Sequence, residues 1–232
     1  MTAPPRHHLL PVSLTLALSL ATSLLLSLAT STAAEARTRL PKLTTKQLDA
    51  LEKGRVLVQM LPAPKGSKVG VGEALGIAEG SSDALVHMLL DIASYQHYML
   101  RIKTSRLIKQ VGKVRYGLIE TRLPWPLRDG WIAFKLTFNH LGKGVYELRW
   151  AMSSGTFKRY RGFARIEPWD EQNDKVAITY RVHAETKTYA PAALLNRAMK
   201  RNAEMFLHRV RLRIKALKRA GTIPGDVARR YR

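Results

Sequence analysis

The sequence predicts an α+β fold: a curved antiparallel sheet with a long C-terminal helix laid across its apolar face. Three observations carry this. After Met99 the apolar residues recur with a period of two through six consecutive segments. From Pro191 to Ala220 the period changes to that of a helix, with one apolar stripe. And the strand segments are apolar on one face and polar on the other, as in an antiparallel sheet covered on one side.

The elements follow in order. Leu9 to Ala29 is almost wholly apolar or small, follows a short segment bearing Arg6, and precedes Ala34-Glu35-Ala36, an A-x-A cleavage pattern. That is the order of a secretory signal peptide over residues 1–36, and it predicts a periplasmic or secreted protein. The run is also nearly long enough to span a bilayer, so an uncleaved N-terminal anchor is the alternative. Residues 37–54 read as a polar lead-in. There Thr44-Thr45-Lys46-Gln47 spells a capping box for a short helix that Gly54 stops. Strands are expected at 55–61 and 69–78; the second places Gly70, Gly72, Ala74 and Gly76 on one face. Ser81 and Asp83 open a helix expected to run to about Tyr95.

Six strands are then expected, at 100–110, 113–122, 131–140, 145–152, 158–167 and 175–184. Ile132, Phe134, Leu136 and Phe138 share a face, as do Tyr146, Leu148, Trp150 and Met152, and Val176, Ile178, Tyr180 and Val182. Leu141-Gly142-Lys143-Gly144 suits a hairpin. The C-terminal helix carries Leu194, Leu195, Ala198, Met199, Asn202, Met205 and Phe206 on its stripe, with Arg197, Lys200, Arg201, Arg211, Lys215 and Lys218 opposite. Arg209 and Arg213 interrupt the stripe, so its last turns are expected to project past the sheet. Residues 221–232 form a basic tail.

Composition narrows the function. Among 232 residues there is no cysteine, which excludes disulfides, thiolate metal sites and cysteine nucleophiles. The net charge is +22, and removing residues 1–36 takes away only Arg6 and Glu35, leaving it unchanged. Such a charge speaks of partners: an anionic membrane surface or polysaccharide, while export argues against nucleic acid. His87, His97, His140, His183 and His208 show no metal-binding spacing, and G-x-S-x-G is absent. No metal, cofactor or catalytic residue is assigned. Asp91, Asp129, Glu120, Glu147 and Glu167 are scattered, and only their placement in space decides whether any form an acid–base pair. Nine Lys or Arg stand against Glu204 alone between Pro191 and Arg219, so the helix face is read as a candidate membrane-docking surface.

Several segments, taken in order, resemble the START-like (SRPBCC, helix-grip) superfamily, including its polyketide cyclase/dehydrase-like and coenzyme Q-binding-like members. They are Leu90-Asp91-Ile92-Ala93-Ser94-Tyr95, Leu123-Pro124-Trp125-Pro126-Leu127-Arg128-Asp129 before Trp131, Tyr160 to Ile166, Val176 to Val182, and Ala190-Pro191-Ala192-Ala193-Leu194-Leu195. The likeness covers about residues 55–216. Two departures stand out. Leu127-Arg128-Asp129-Gly130 replaces the usual Asp-Arg-Asp, and Glu185 to Tyr189 replaces a Gly-rich stretch. The resemblance implies a ligand cavity between sheet and helix. The residues that the periodicity directs inward, Tyr116, Phe134, Leu136, Leu148, Trp150, Tyr180, Leu195, Met199 and Phe206, are then its expected lining, for a lipid-like or polycyclic ligand. It equally allows a cyclase- or hydrolase-type enzyme, with Arg149, Arg161 or Tyr180 as candidate pocket groups. An interaction protein with a filled core is the third reading.

Overall fold

The computed structural model describes residues 42–123, 125, 127–170, 174–187 and 190–221. The segment read as a signal peptide, the first residues of the lead-in and the basic tail beyond Gly221 lie outside the described residues. The chain opens with α1 (Thr45–Glu52), whose capping box is present: the Thr44 hydroxyl accepts from Gln47 N–H, and the Gln47 side chain accepts from Thr44 N–H. Then come β1 (Leu57–Leu61), β2 (Val71–Glu79) and α2 (Ser82–Leu90), capped by Ser81. A 3-10 turn (Ile92–Ser94) and the single turn α3 (Tyr95–Tyr98) follow. Six strands come next: β3 (Ile102–Val111), β4 (Val114–Thr121), β5 (Gly130–His140), β6 (Tyr146–Gly155), β7 (Phe157–Pro168) and β8 (Lys175–Thr186). The last element is α4 (Ala192–Arg219).

All eight strands form one antiparallel sheet in the order β1-β2-β8-β7-β6-β5-β4-β3. The hairpin between β5 and β6 turns through Gly142, Lys143 and Gly144, all with positive φ, which explains why glycine flanks the lysine. Helix α4 packs on β1, β2 and β8. On β2 the small-residue face anticipated from the sequence meets the helix directly. A Cβ on Gly72 would stand 2.6 Å from the carbonyl oxygen of Met199, and one on Gly76 would stand 3.0 Å from Leu207. The helix therefore rests on bare backbone there.

Three expectations are corrected. The first helix does not run through to Tyr95, because Asp91 leaves helical geometry and the chain re-enters as a tighter turn. The C-terminal turns of α4 do not leave the sheet: Val210 and Ile214 are buried, and Ile214 reaches Gly80. Arg213, expected to spoil the stripe, lays its guanidinium over the Tyr98 ring, 5.7 Å from the centroid, a contact that lets a cation sit at an apolar seam. The third correction concerns β4. Its inward residues are Arg115, Gly117 and Ile119, so Tyr116 faces the other way, under the Lys109 ammonium at 4.9 Å. Gly117 is inward because a Cβ there would press within 2.8 Å of Phe134 and 2.9 Å of Ile92. Arg115 donates to the carbonyl of Leu90 and to Gln110, closing the C-terminus of α2 with a charge of the favoured sign.

Candidate functional site

Where α4 crosses the sheet, its N-terminal half and the inward side chains of β4–β8 leave a cavity of about 190 Å³. The floor comes from Leu89 and Tyr95, the walls from Ile119, Ile132, Phe134, Leu136, Trp150, Phe157, Tyr160 and Tyr180, and the roof from Ala198, Met199, Asn202 and Phe206. The period-two strands put alternate residues of β5, β6 and β8 on this side, which is why aromatic residues from separate strands converge.

Of the nine lining residues named from the sequence, Phe134, Leu136, Trp150, Tyr180, Met199 and Phe206 border the cavity. Leu148 and Leu195 are buried in the surrounding core without reaching it, because they lie beyond the gap along β6 and α4. Tyr116 is excluded by the strand phase described above. Tyr95, Met99, Phe157 and Tyr160 were missed. Tyr95 and Met99 follow the helix break at Asp91, and Phe157 follows the β6–β7 turn, places where periodicity gives no signal.

Tyr180 ties the two layers together. Its ring stacks on Phe206 of α4, 3.8 Å between centroids, and on Trp150 of β6, 5.6 Å away. Trp150 in turn lies flat over Gly162, where a Cβ would fall 2.0 Å from the indole. An indole N–H buried without a well-aligned acceptor points toward the Tyr160 hydroxyl.

The titratable groups of the cavity are phenols. Burial pushes Tyr160 up to about 12, an effect that the nearby Trp150 indole partly offsets. Burial also raises Tyr180 and Tyr95 well above the ordinary range, and Tyr95 donates to the Leu89 carbonyl. All three are neutral phenols at physiological pH. Among the described residues no carboxylate or imidazole lines the cavity. None of the five acids weighed from the sequence lines the cavity; Glu147 pairs with Arg149 at 2.5 Å, Glu167 with Arg165 at 3.1 Å and Asp129 with Lys103 at 3.0 Å, and Asp91 accepts from the Ser94 hydroxyl.

Arg149 and Arg161 line a shallow depression on the opposite face of the sheet. There the guanidinium of Arg149 sits 5.2 Å from the centre of the Phe163 ring, with Arg181 on the same ring at 5.8 Å. Neither enters the cavity, which removes both as pocket groups.

The six basic residues assigned to the outer face of α4 divide. Arg197, Lys200, Lys215 and Lys218 are exposed on it, with Lys218 4.0 Å from Glu79. Arg201 is exposed and also borders the cavity. Arg211 is turned toward the sheet edge, where it donates to the carbonyls of Ile77 at 2.7 Å and Gly54 at 2.6 Å. Burial lowers its pKa from the usual arginine value. The long Arg stem lets the residue reach past the polar face, and it clamps α4 to β2 rather than facing solvent.

No protein-family model and no curated protein matches the chain. Solved structures do. A STAR-related lipid transfer protein from Xanthomonas axonopodis superposes with a TM-score of 0.60 at 20% identity, over 69% of this chain and 92% of that one. The START-like helix grip is the fold of this chain. A human StAR-related lipid transfer protein 5 shares it at 9% identity, TM-score 0.57, over 87% of this chain and 97% of that one. So does Zhui aromatase/cyclase from Streptomyces sp. R1128, at 12% identity, TM-score 0.53, over 65% and 96%. In START-like terms, the cavity lies in the grip between sheet and C-terminal helix.

Proposed function

We propose that this protein is an exported binding protein for a hydrophobic, lipid-like or polycyclic molecule, held in the cavity under α4 and passed to or from a membrane. The cavity itself carries the reading. It is walled by aromatic and aliphatic side chains, and its hydroxyls are held neutral. Burying ligand surface there contributes about 25 cal/mol per Å². Met99 and Met199 give the wall adaptable side chains suited to an apolar guest. The likeness to proteins named for lipid transfer supports the same reading at the level of the fold. The likeness to an aromatase/cyclase would suit an enzyme on this scaffold, for which the described lining offers phenols and arginines as its polar groups. Export rests on the apolar run and Ala34-Glu35-Ala36. Docking at an anionic membrane rests on Arg197, Lys200, Lys215 and Lys218.

Native mass spectrometry of protein purified from its own host tests the binding. An adduct that survives gentle ionisation, is lost on denaturation and disappears in Ala198→Phe, where the new ring fills the cavity, is expected. An adduct retained in that variant, or none in either protein, would count against the cavity. N-terminal sequencing of the exported protein should begin at or near Arg37; a chain beginning at Met1 or Thr2 would favour the anchor. Vesicle binding should weaken in the Arg197→Glu, Lys200→Glu, Lys215→Glu triple variant, and binding unchanged at low salt would leave this face a solvated surface.

A further inference from the structure

Among the residues bordering the cavity, three are exposed, and all three are arginines: Arg101, Arg122 and Arg201. They mark the mouth. Arg101 stands between α3 and β3, Arg122 just past β4, and Arg201 on the roof helix, so three separate elements bring an arginine to the exposed border of the cavity. The first two are fixed to each other, since the Arg122 N–H donates to the Arg101 carbonyl at 2.8 Å. Arg101 also holds a left-handed backbone, φ 65°, a conformation that a non-glycine residue adopts at a cost and that concentrates at functional positions.

Among the described residues no acid forms an ion pair with them, and the lining contains no Asp or Glu. Asp129, whose charge is felt near Arg122, is already held by Lys103 at 3.0 Å and also accepts from the Leu123 N–H at 3.4 Å. An apolar cavity whose exposed border, among the described residues, consists of three arginines outside any ion pair fits an amphiphilic guest with an anionic end.

We propose that the guest is an anionic amphiphile, with one apolar chain or compact ring system inside and a carboxylate or phosphate at the mouth between Arg101, Arg122 and Arg201. This rests on the cavity reading above and adds the headgroup to it. Arginine presents paired N–H donors that match both oxyanions, so the shared chemistry is the charged oxygen pair. The volume limits the other end. An engineered cavity of roughly 150 Å³ takes a benzene ring, so about 190 Å³ takes a single chain segment rather than the two chains of a bilayer lipid.

Calorimetric titration of the delipidated full chain with decanol, decanoate and decyl phosphate, each kept monomeric, tests the headgroup. Decanoate and decyl phosphate should bind at least about fivefold more tightly than decanol, because three exposed ion pairs each contribute only part of an order of magnitude. Replacing Arg101, Arg122 and Arg201 together by Gln should bring both anions down to the affinity with which that same variant binds decanol. Arg101→Gly removes one charge at a position whose left-handed φ glycine accepts, and a reduced anion preference beside an unchanged thermal midpoint assigns the loss to the charge. Acetate and inorganic phosphate alone should not compete with decanol. Equal binding of decanol and decanoate by the unmodified protein would overturn the headgroup and leave the cavity reading standing. So would an anion preference that survives the Gln variant, or tight binding of inorganic phosphate by itself. If none of the three chains binds, both readings fall.

Discussion

Along one margin α4 rests on β2 through glycine backbone, whereas along the other it bridges toward β5 and β6 across open space. On the β2 side, Gly72 and Gly76 remove every side chain that would hold the helix off, and Ala203, Leu207 and Val210 are fully buried against it. On the far side Phe134, Trp150, Tyr160 and Phe157 wall the cavity, and Tyr180 joins that wall to the roof by stacking on Phe206. Interiors normally close to crystal density, so a gap flanked by such a tight seam is a feature of how the helix is seated. Small residues on one side set the helix low there, and the curved sheet then falls away from it on the other.

Breaking the seam should have the largest effect. Gly72→Ala puts a methyl 2.6 Å from the Met199 carbonyl oxygen, and neither backbone can yield without lifting α4. A loss of about 3 kcal/mol in urea unfolding is expected. A loss below about 0.5 kcal/mol would mean that the helix is not seated on that strand. Gly162→Ala attacks the open side instead. The new methyl collides with the Trp150 indole, so stability should fall by about 2 kcal/mol, and Trp150 should tilt into the cavity and obstruct a decanol guest. Intact binding in a stable Gly162→Ala protein would place the guest elsewhere.

Arg211→Ala sharpens the same contrast, because it removes a clamp from the closed margin only. Two carbonyls lose a charged donor, and the expected cost is about 1–2 kcal/mol. Lys200→Ala, on the exposed face, should stay within about 0.5 kcal/mol. Equal costs would show Arg211 to be an ordinary surface charge.

The smallest effect is on pH dependence. Burial, with Arg161 nearby, holds the His183 imidazole below its ordinary value of 6.5, and its ring contacts Ser67 Oγ at 3.2 Å. Burial lowers His87 as well. The unfolded chain therefore binds these protons first as pH drops. Stability is full above about pH 6.5 and declines below it. His183→Gln should flatten part of that decline in denaturant midpoints measured from pH 7 to 5; an unaltered slope would show that His183 does not contribute.

Much of the fold was legible because sheets repeat simply. The alternation of β5, β6 and β8 named their inward faces, and Thr44 with Gln47 announced α1. The β4 phase was not legible. Tyr116 looks like a core residue, yet Gly117 must face inward to admit Phe134 and Ile92, a demand made by partners distant in sequence. The aromatic wall of the site was visible in Phe134, Trp150 and Tyr180. Its mouth was not, since Arg101, Arg122 and Arg201 come from three elements that only the tertiary fold brings together. Arg211 was misread for a related reason: helical periodicity gives the direction of a side chain at its root and says nothing of where a long stem ends.

An apolar guest is expected in the space between α4 and β5–β8, against Trp150. Of the four tryptophans, Trp125 is 91% exposed and Trp131 is 41% exposed. Replacing Trp125, Trp131 and Trp169 by Phe leaves Trp150 as the sole emitter. Titrating that variant with decanol should give a saturable change in Trp150 emission and protection from acrylamide, both abolished by Ala198→Phe. Decanol binding detected by calorimetry with Trp150 emission and quenching unchanged would contradict the account.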